Sequence, residues 1–172
     1  AVYSDVKKFV GIGTCFEYDL SGGVLSAATP LKPITPYASA KAAAYLMLSQ
    51  WFYAKNIDLT WCRLFYLFGE GEDSRRLAPY LRSRLKENKI VELTSGDQVR
   101  DFMDVADAGK LISKVALNKS IGAINICSGV PITVREFSEN IAAEYGSMDL
   151  LRFGARPDNI VDPPCVVGVP NC

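Results

Sequence analysis

The sequence predicts an α/β fold built on a parallel sheet. Two apolar runs of strand length, KKFVGIGT (Lys7 to Thr14) and DLTWCRLFYLFG (from Asp58), flank a long helical segment without a breaker. The second run is almost continuously hydrophobic, the pattern of a strand buried on both faces. Two strands joined through a helix form a right-handed βαβ unit, which makes the pair parallel.

The elements follow in order. Lys7 to Thr14 has two charges ahead of a short apolar run and reads as a buried strand. Asp19 to Thr35 is rich in Gly, Ser and Pro and reads as a loop. Thr35 then supplies an N-cap and Pro36 fits the first helical position of PYASAKAAAYLMLSQWFYAKN. The apolar residues Tyr45, Leu46, Met47, Leu48, Phe52 and Tyr53 go most of the way round that helix, so it is expected to be covered on two sides. Past Gly69 a polar loop, GEGEDS, leads to a helix with Leu77, Leu81 and Leu85 opposite an Arg-rich face. Arg75, Arg76, Arg82 and Arg84 read as that solvated face. A short strand IVELT, a turn SGDQ, the segment RDFMDV, a helix from Val105 to Leu117 and a strand GAINICSG come next. Thr133 and Glu136 form a capping box for a helix ending near Tyr145, with Phe137 and Ile141 on its buried stripe.

Composition narrows the functions. In 172 residues, 19 Lys and Arg balance 19 Asp and Glu, one domain's worth of chain with no excess charge. Phosphate-backbone binding wants clustered Lys and Arg, so no nucleic-acid partner is expected. No run of about 18 apolar residues exists and AVYSDVKKF lacks a signal-peptide core, so no membrane is expected and the cytoplasm is the default address. The chain has no histidine, which excludes HExxH-type zinc sites and any hydrolase that uses imidazole as its base. Cys15, Cys62 and Cys127 lie in apolar stretches and read as reduced core thiols.

The residues that can carry chemistry sit at the start of the long helix. Tyr37 and Lys41 are four apart, on one face and one turn from each other. A lysine ammonium beside a phenol favours the phenolate and draws its pKa down from about 10, toward the range of a general base. The same spacing also arises from an aromatic packed under a solvated lysine. Thr14 adds a hydroxyl at the end of the preceding buried strand, where open α/β sheets place their ligand crevice.

These residues belong to a longer series. FVGIGTCFEYD, then YASAK, RLFYLFGEGED, QVRDFMDVAD, AINICSG and FGARPDN together resemble the extended short-chain dehydrogenase/reductases, in their NAD-dependent nucleotide-sugar epimerase, dehydratase and reductase branch. The resemblance covers nearly the whole chain and keeps the motif order. It implies a partial doubly wound, Rossmann-like parallel sheet with a smaller α/β substrate-binding region. Residues 1–68 would be the second half of the dinucleotide-binding domain and residues 69–172 mainly the substrate-binding region, with interleaved sheet elements. It implies Thr14, Tyr37 and Lys41 as the catalytic triad, with Tyr37 as acid/base, Lys41 on the nicotinamide ribose and Thr14 on the sugar oxygen. Phe65, Tyr66 and Leu67 fall where the family wraps the nicotinamide of NAD or NADP, although Tyr66 stands where Asn is common and Glu70 where Pro is common. Arg100 and Arg156 align with arginines that clamp the substrate diphosphate, a role suited to the guanidinium fork. The alternative for each is an arginine paired with Asp101 or Asp158. The Asp-Glu pair of the family's dehydratases is replaced by Cys15 and Phe16, which points away from dehydration.

One part of the pattern is missing. No G-x-G-x-x-G turn occurs in the sequence, and about three βαβ-scale units of roughly 30 residues that precede the Thr14 strand in the family have no counterpart. The expectation is therefore an incomplete chain of a nucleotide-sugar epimerase or reductase; the alternative is a non-catalytic nucleotide-sugar-binding or assembly module. Either leaves an apolar sheet edge and face for a homodimer or another partner to cover.

Overall fold

The computed structural model describes residues 5–159 and 161–172. Along the chain run β1 (Lys8–Thr14), β2 (Val24–Leu25), α1 (Pro36–Tyr53), β3 (Asp58–Leu64), β4 (Tyr66–Phe68), α2 (Leu77–Lys86), β5 (Val91–Glu92), β6 (Val99–Arg100) and β7 (Phe102–Asp104). Then come α3 (Val105–Leu117), β8 (Gly122–Ile126), β9 (Ile132–Thr133), α4 (Val134–Glu144), β10 (Leu151–Arg152) and β11 (Cys165–Gly168).

The main sheet is parallel, in the order β1-β3-β8. Its register aligns Thr14 with Leu64 and Leu64 with Ile126, so the three strands end together. Strand β3 alternates its side chains between two helix layers, as a pleated strand must. Leu59 and Trp61 pack with Phe52 of α1, and Cys62 packs with Ala108 and Val115 of α3. The continuous hydrophobicity of the β3 segment follows from cover on both faces.

Helix α1 starts as its sequence requires, with Thr35 Oγ1 accepting the Ala38 N–H at 3.2 Å and Pro36 at the first turn. It is covered on one side only among the described residues: Leu46, Met47, Trp51 and Tyr53 are exposed. The expected second layer does not appear among the described residues, where α1 lies outermost on the β1–β3 face.

The run DLTWCRLFYLFG is two strands. Phe65 N–H still donates to Ile126 of β8, whereas Tyr66 N–H donates to Asp101, so the chain changes partner between these residues. Strand β4 then pairs with β7. A second core is formed by Leu81 and Leu85 of α2 with Phe137 and Ile141 of α4, the two stripes expected from their spacing. Thr133 and Glu136 cap α4 reciprocally. Four two- to four-residue strands, β2, β9, β10 and β11, had no periodic signal, being too short to show one. Strands β2, β11, β6 and β9 form one small sheet.

Asp101 holds the junction between the two regions. It is wholly buried, and its carboxylate accepts from Ser128 N and Oγ, Gly129 N and Gly168 N, at 2.7–3.1 Å. Cys15, Cys62 and Cys127 are buried and unbridged. Burial pushes the Cys15 thiol up to about 12 and that of Cys62 up to about 11. Such thiols stay protonated and behave as small apolar groups.

Candidate functional site

A cleft of about 440 Å³ opens at the carboxyl edge of β1 and β3. Thr14, Tyr37, Phe65, Tyr66, Leu67 and Arg76 line it. Thr14 arrives there as the last residue of β1 and Tyr37 as the second residue of α1. Lys41 sits one turn further along the helix, and its Nζ donates to the carbonyl of Ile12 at 2.9 Å. Ile12 itself lines the cleft. The ammonium is thus held beside the strand end by a backbone acceptor, while the Tyr37 ring is more than half exposed.

Thr14 is nearly buried, with 5 % of its surface exposed. Its Oγ1 accepts the Phe16 N–H at 3.4 Å and its own N–H donates to Glu17 Oε1 at 2.8 Å. Phe16 meets Tyr66 edge-on, and Tyr66 meets Phe102 likewise. These rings wall the cleft from the region of α2 and α4. The Tyr66 hydroxyl is buried and has no hydrogen-bond partner among the described residues. Burial pushes the Tyr66 phenol well above its ordinary range, so it is a neutral donor.

Arg100 lines an adjoining cavity of about 170 Å³, which shares Tyr66, Leu67 and Arg76 with the first. Its guanidinium lies 5.2 Å from the Tyr66 ring centre, donates to Asp162 at 2.6 Å and to the Val99 carbonyl at 2.8 Å. The pairing with Asp101 does not form, because adjacent residues of an extended chain point to opposite sides. Arg156 is elsewhere: it donates to Tyr80 Oη at 2.9 Å and lies over that ring. Asp158, its other expected partner, accepts instead from Ser95. The structure therefore brings Thr14, Tyr37, Phe65, Tyr66 and Leu67 together, with Lys41 and Arg100 at the margins, and leaves Arg156 outside.

Arg76 was not singled out from the sequence, where it reads as part of the solvated face of α2. It stands at the N-cap of α2, tethered to Glu72 at 2.8 Å, and lines both cavities. Its signal was the change of structure at that point: a residue just ahead of a helix is aimed by the loop, not by the helix face.

Comparison with known proteins agrees with this architecture. The chain is 26% identical over 167 residues to dTDP-6-deoxy-L-talose 4-dehydrogenase (NAD(+)) of Aggregatibacter actinomycetemcomitans, covering 95% of this chain and 61% of that protein. It is 29% identical over 138 residues to GDP-6-deoxy-D-mannose reductase of Pseudomonas aeruginosa, covering 72% and 45%. Among solved structures, UDP-N-acetylglucosamine 4-epimerase from Methanobrevibacter ruminantium, in complex with UDP-N-acetylmuramic acid, superposes with a TM-score of 0.88 at 22% identity, over 96% of this chain and 55% of that one. The chain thus spans about half to three-fifths of the length of these three proteins. The family model described as NAD dependent epimerase/dehydratase matches residues 1–127. With most of its length under that model, and with the same parallel α/β architecture as solved nucleotide-sugar enzymes, the chain belongs to the NAD dependent epimerase/dehydratase family.

Proposed function

We propose that this chain supplies the proton-transfer and substrate-clamping part of an NAD- or NADP-dependent nucleotide-sugar epimerase or reductase. The observation that carries the reading is the convergence of Thr14 and Tyr37 on one cleft, with the Lys41 ammonium fixed at its edge by the Ile12 carbonyl. Residues 1–68 would carry this chemistry and residues 69–172 mainly the substrate contacts.

The cleft suits a nicotinamide: Phe65, Tyr66 and Leu67 offer it flat apolar walls, and no carboxylate lines it. Lys41 would hold the adjoining ribose. When bound, such a cofactor would supply the hydride acceptor or donor for the sugar carbon. Tyr37 Oη exchanges the proton of that carbon's oxygen, and the Thr14 hydroxyl donates to the same oxygen, so one atom is held from two directions. The Lys41 ammonium, one helical turn from Tyr37, is kept at the cleft edge by the Ile12 carbonyl. Arg100 would take the substrate diphosphate in competition with Asp162, while Arg156 reaches it only by leaving Tyr80. Cys15, apolar in character and raised in pKa by burial, stands where a dehydratase needs an acid, which favours epimerisation or reduction.

A binding or assembly module is the second reading. The exposed Leu46, Met47, Trp51 and Tyr53 of α1 support a homodimer or another partner at that face. A titration separates the readings. UDP-glucose, added as a probe, should raise the melting temperature and perturb the Thr14 methyl and Tyr37 ring signals in NMR spectra. Arg100→Ala should abolish the effect and Tyr37→Phe should retain the thermal shift. Perturbations confined to residues outside the cleft would overturn the proposal and leave the assembly module.

A further inference from the structure

Beneath the cleft lies a buried charged cluster that the proton-transfer chemistry does not use. Glu17 is wholly buried, and Arg63, on the central strand β3, is 1 % exposed. Glu17 Oε2 accepts from Arg63 Nε at 2.8 Å. Both carboxylate oxygens face the Trp61 indole N–H, at 3.0 and 3.1 Å, and Oε1 also accepts the Thr14 N–H at 2.8 Å. The Arg63 guanidinium lies between two aromatic rings, 4.4 Å from the Tyr18 centroid and 4.8 Å from that of Tyr45.

We infer that Glu17 and Arg63 are positioning residues: their buried ion pair fixes Thr14 at the strand end and ties it to the helix that carries Tyr37 and Lys41. The tie runs through Tyr45, which is one turn beyond Lys41 and two beyond Tyr37 on the same face of α1. Tyr45 stacks on Arg63 and contacts Trp61. Every link from the Thr14 amide to α1 is therefore a direct contact.

Three features favour positioning over stability alone. A buried ion pair is a poor stabiliser compared with apolar residues of the same volume, because both charges lose their water. This pair is not even fully satisfied, since Arg63 Nη2 has no hydrogen-bond partner among the described residues. Strand β1 also gives up side chains to admit the cluster: a Cβ on Gly13 would fall on Trp61 Nε1 and Glu17 Oε1, and one on Gly11 would fall on the Trp61 ring. The capping arrangement in turn occupies Thr14 Oγ1 as acceptor for Phe16 N–H, which leaves its O–H proton to offer to a ligand oxygen.

The inference rests on Thr14 being the substrate-facing hydroxyl, and its test is independent of turnover. Three-bond couplings from the Thr14 methyl carbon to the backbone nitrogen and carbonyl carbon report χ1. The unmodified chain should show one rotamer. In Glu17→Gln only one oxygen remains, and the charge-assisted bond to Arg63 is the stronger claim on it. The amide NH2 then faces the Thr14 N–H, and the Thr14 couplings should collapse to averaged values while those of Thr60, on β3, keep their values. Glu17→Met with Arg63→Leu, an apolar pair that removes both charges, should do the same in a chain that still unfolds cooperatively. Trp61→Phe leaves the carboxylate on Thr14 and should leave the couplings unchanged. A fixed Thr14 in either folded Glu17 variant, or unfolding of both, overturns the positioning role. A Thr14 methyl that ignores added UDP-glucose instead overturns the reading of Thr14 itself.

Discussion

Replacing Asp101 tests how the two regions of the fold are joined. Its carboxylate is wholly buried and accepts four hydrogen bonds: Oδ1 from Ser128 N and Oγ, Oδ2 from Gly129 N and Gly168 N. In Asp101→Asn the better orientation places the amide NH2 at the Oδ1 position. Ser128 Oγ can then turn to accept from it, and only the Ser128 N–H is left without a partner. One orphaned buried donor costs about 1–3 kcal/mol. Asp101→Ala strands three backbone N–H groups, roughly 3–9 kcal/mol on the same scale, against a total stability on the order of 5–15 kcal/mol. Urea unfolding followed by far-UV circular dichroism reads both. With a slope of about 2 kcal/mol per molar, the Asn variant should lose about 1 M in midpoint, and the Ala variant should be partly unfolded without denaturant. Equal losses in the two variants, or losses below about 1 kcal/mol in both, would show that the four bonds do not hold the junction.

Three further outcomes follow from named contacts. Gly13→Ala places a methyl on the Trp61 indole and the Glu17 carboxylate, so it should destabilise by about 1–3 kcal/mol through overpacking and change Trp61 emission; an unaltered spectrum and midpoint would contradict the close approach. Leu81, fully buried between α2 and α4, should lose about 2–5 kcal/mol on Leu81→Ala, measured by the same urea titration. Glu136 has its pKa lowered by hydrogen bonds from the Thr133 backbone N–H and then the Thr133 side chain. A depressed carboxylate contributes stability that is fully present above its unfolded pKa of about 4.3 and is lost as pH falls through the lower folded value. The stability gap between the unmodified chain and Glu136→Gln should therefore be widest near neutral pH and close in acid; a gap independent of pH would remove the capping carboxylate from the account.

Much of the site was legible because its residues are set by local rules. Thr35 and Pro36 start α1, so Tyr37 and Lys41 must share a face; a buried strand before them must deliver Thr14 to the carboxyl edge. Arg100 and Arg156 were harder, because a guanidinium on a long stem goes where its partners are. Each found a different partner from the nearest aspartate in sequence, Asp162 for one and Tyr80 for the other. The Glu17–Arg63 cluster left no mark at all: a glutamate and an arginine separated by 46 positions meet only when β1 and β3 are laid side by side. The short strands β2, β9, β10 and β11 were illegible for the same reason, since two to four residues hold no period and take their shape from their neighbours.

From the sequence alone come the helix starts, the buried strands, the spacing of Tyr37 and Lys41 and the family's order of motifs, because caps and periodicity act over a few residues and survive in one dimension. Only tertiary structure decided that one cleft receives Thr14, Tyr37 and Arg76, that the chain changes sheets between Phe65 and Tyr66, and which carboxylate each buried arginine meets. Those outcomes are contacts between distant segments, and their energies depend on burial and distance, which a linear sequence does not contain.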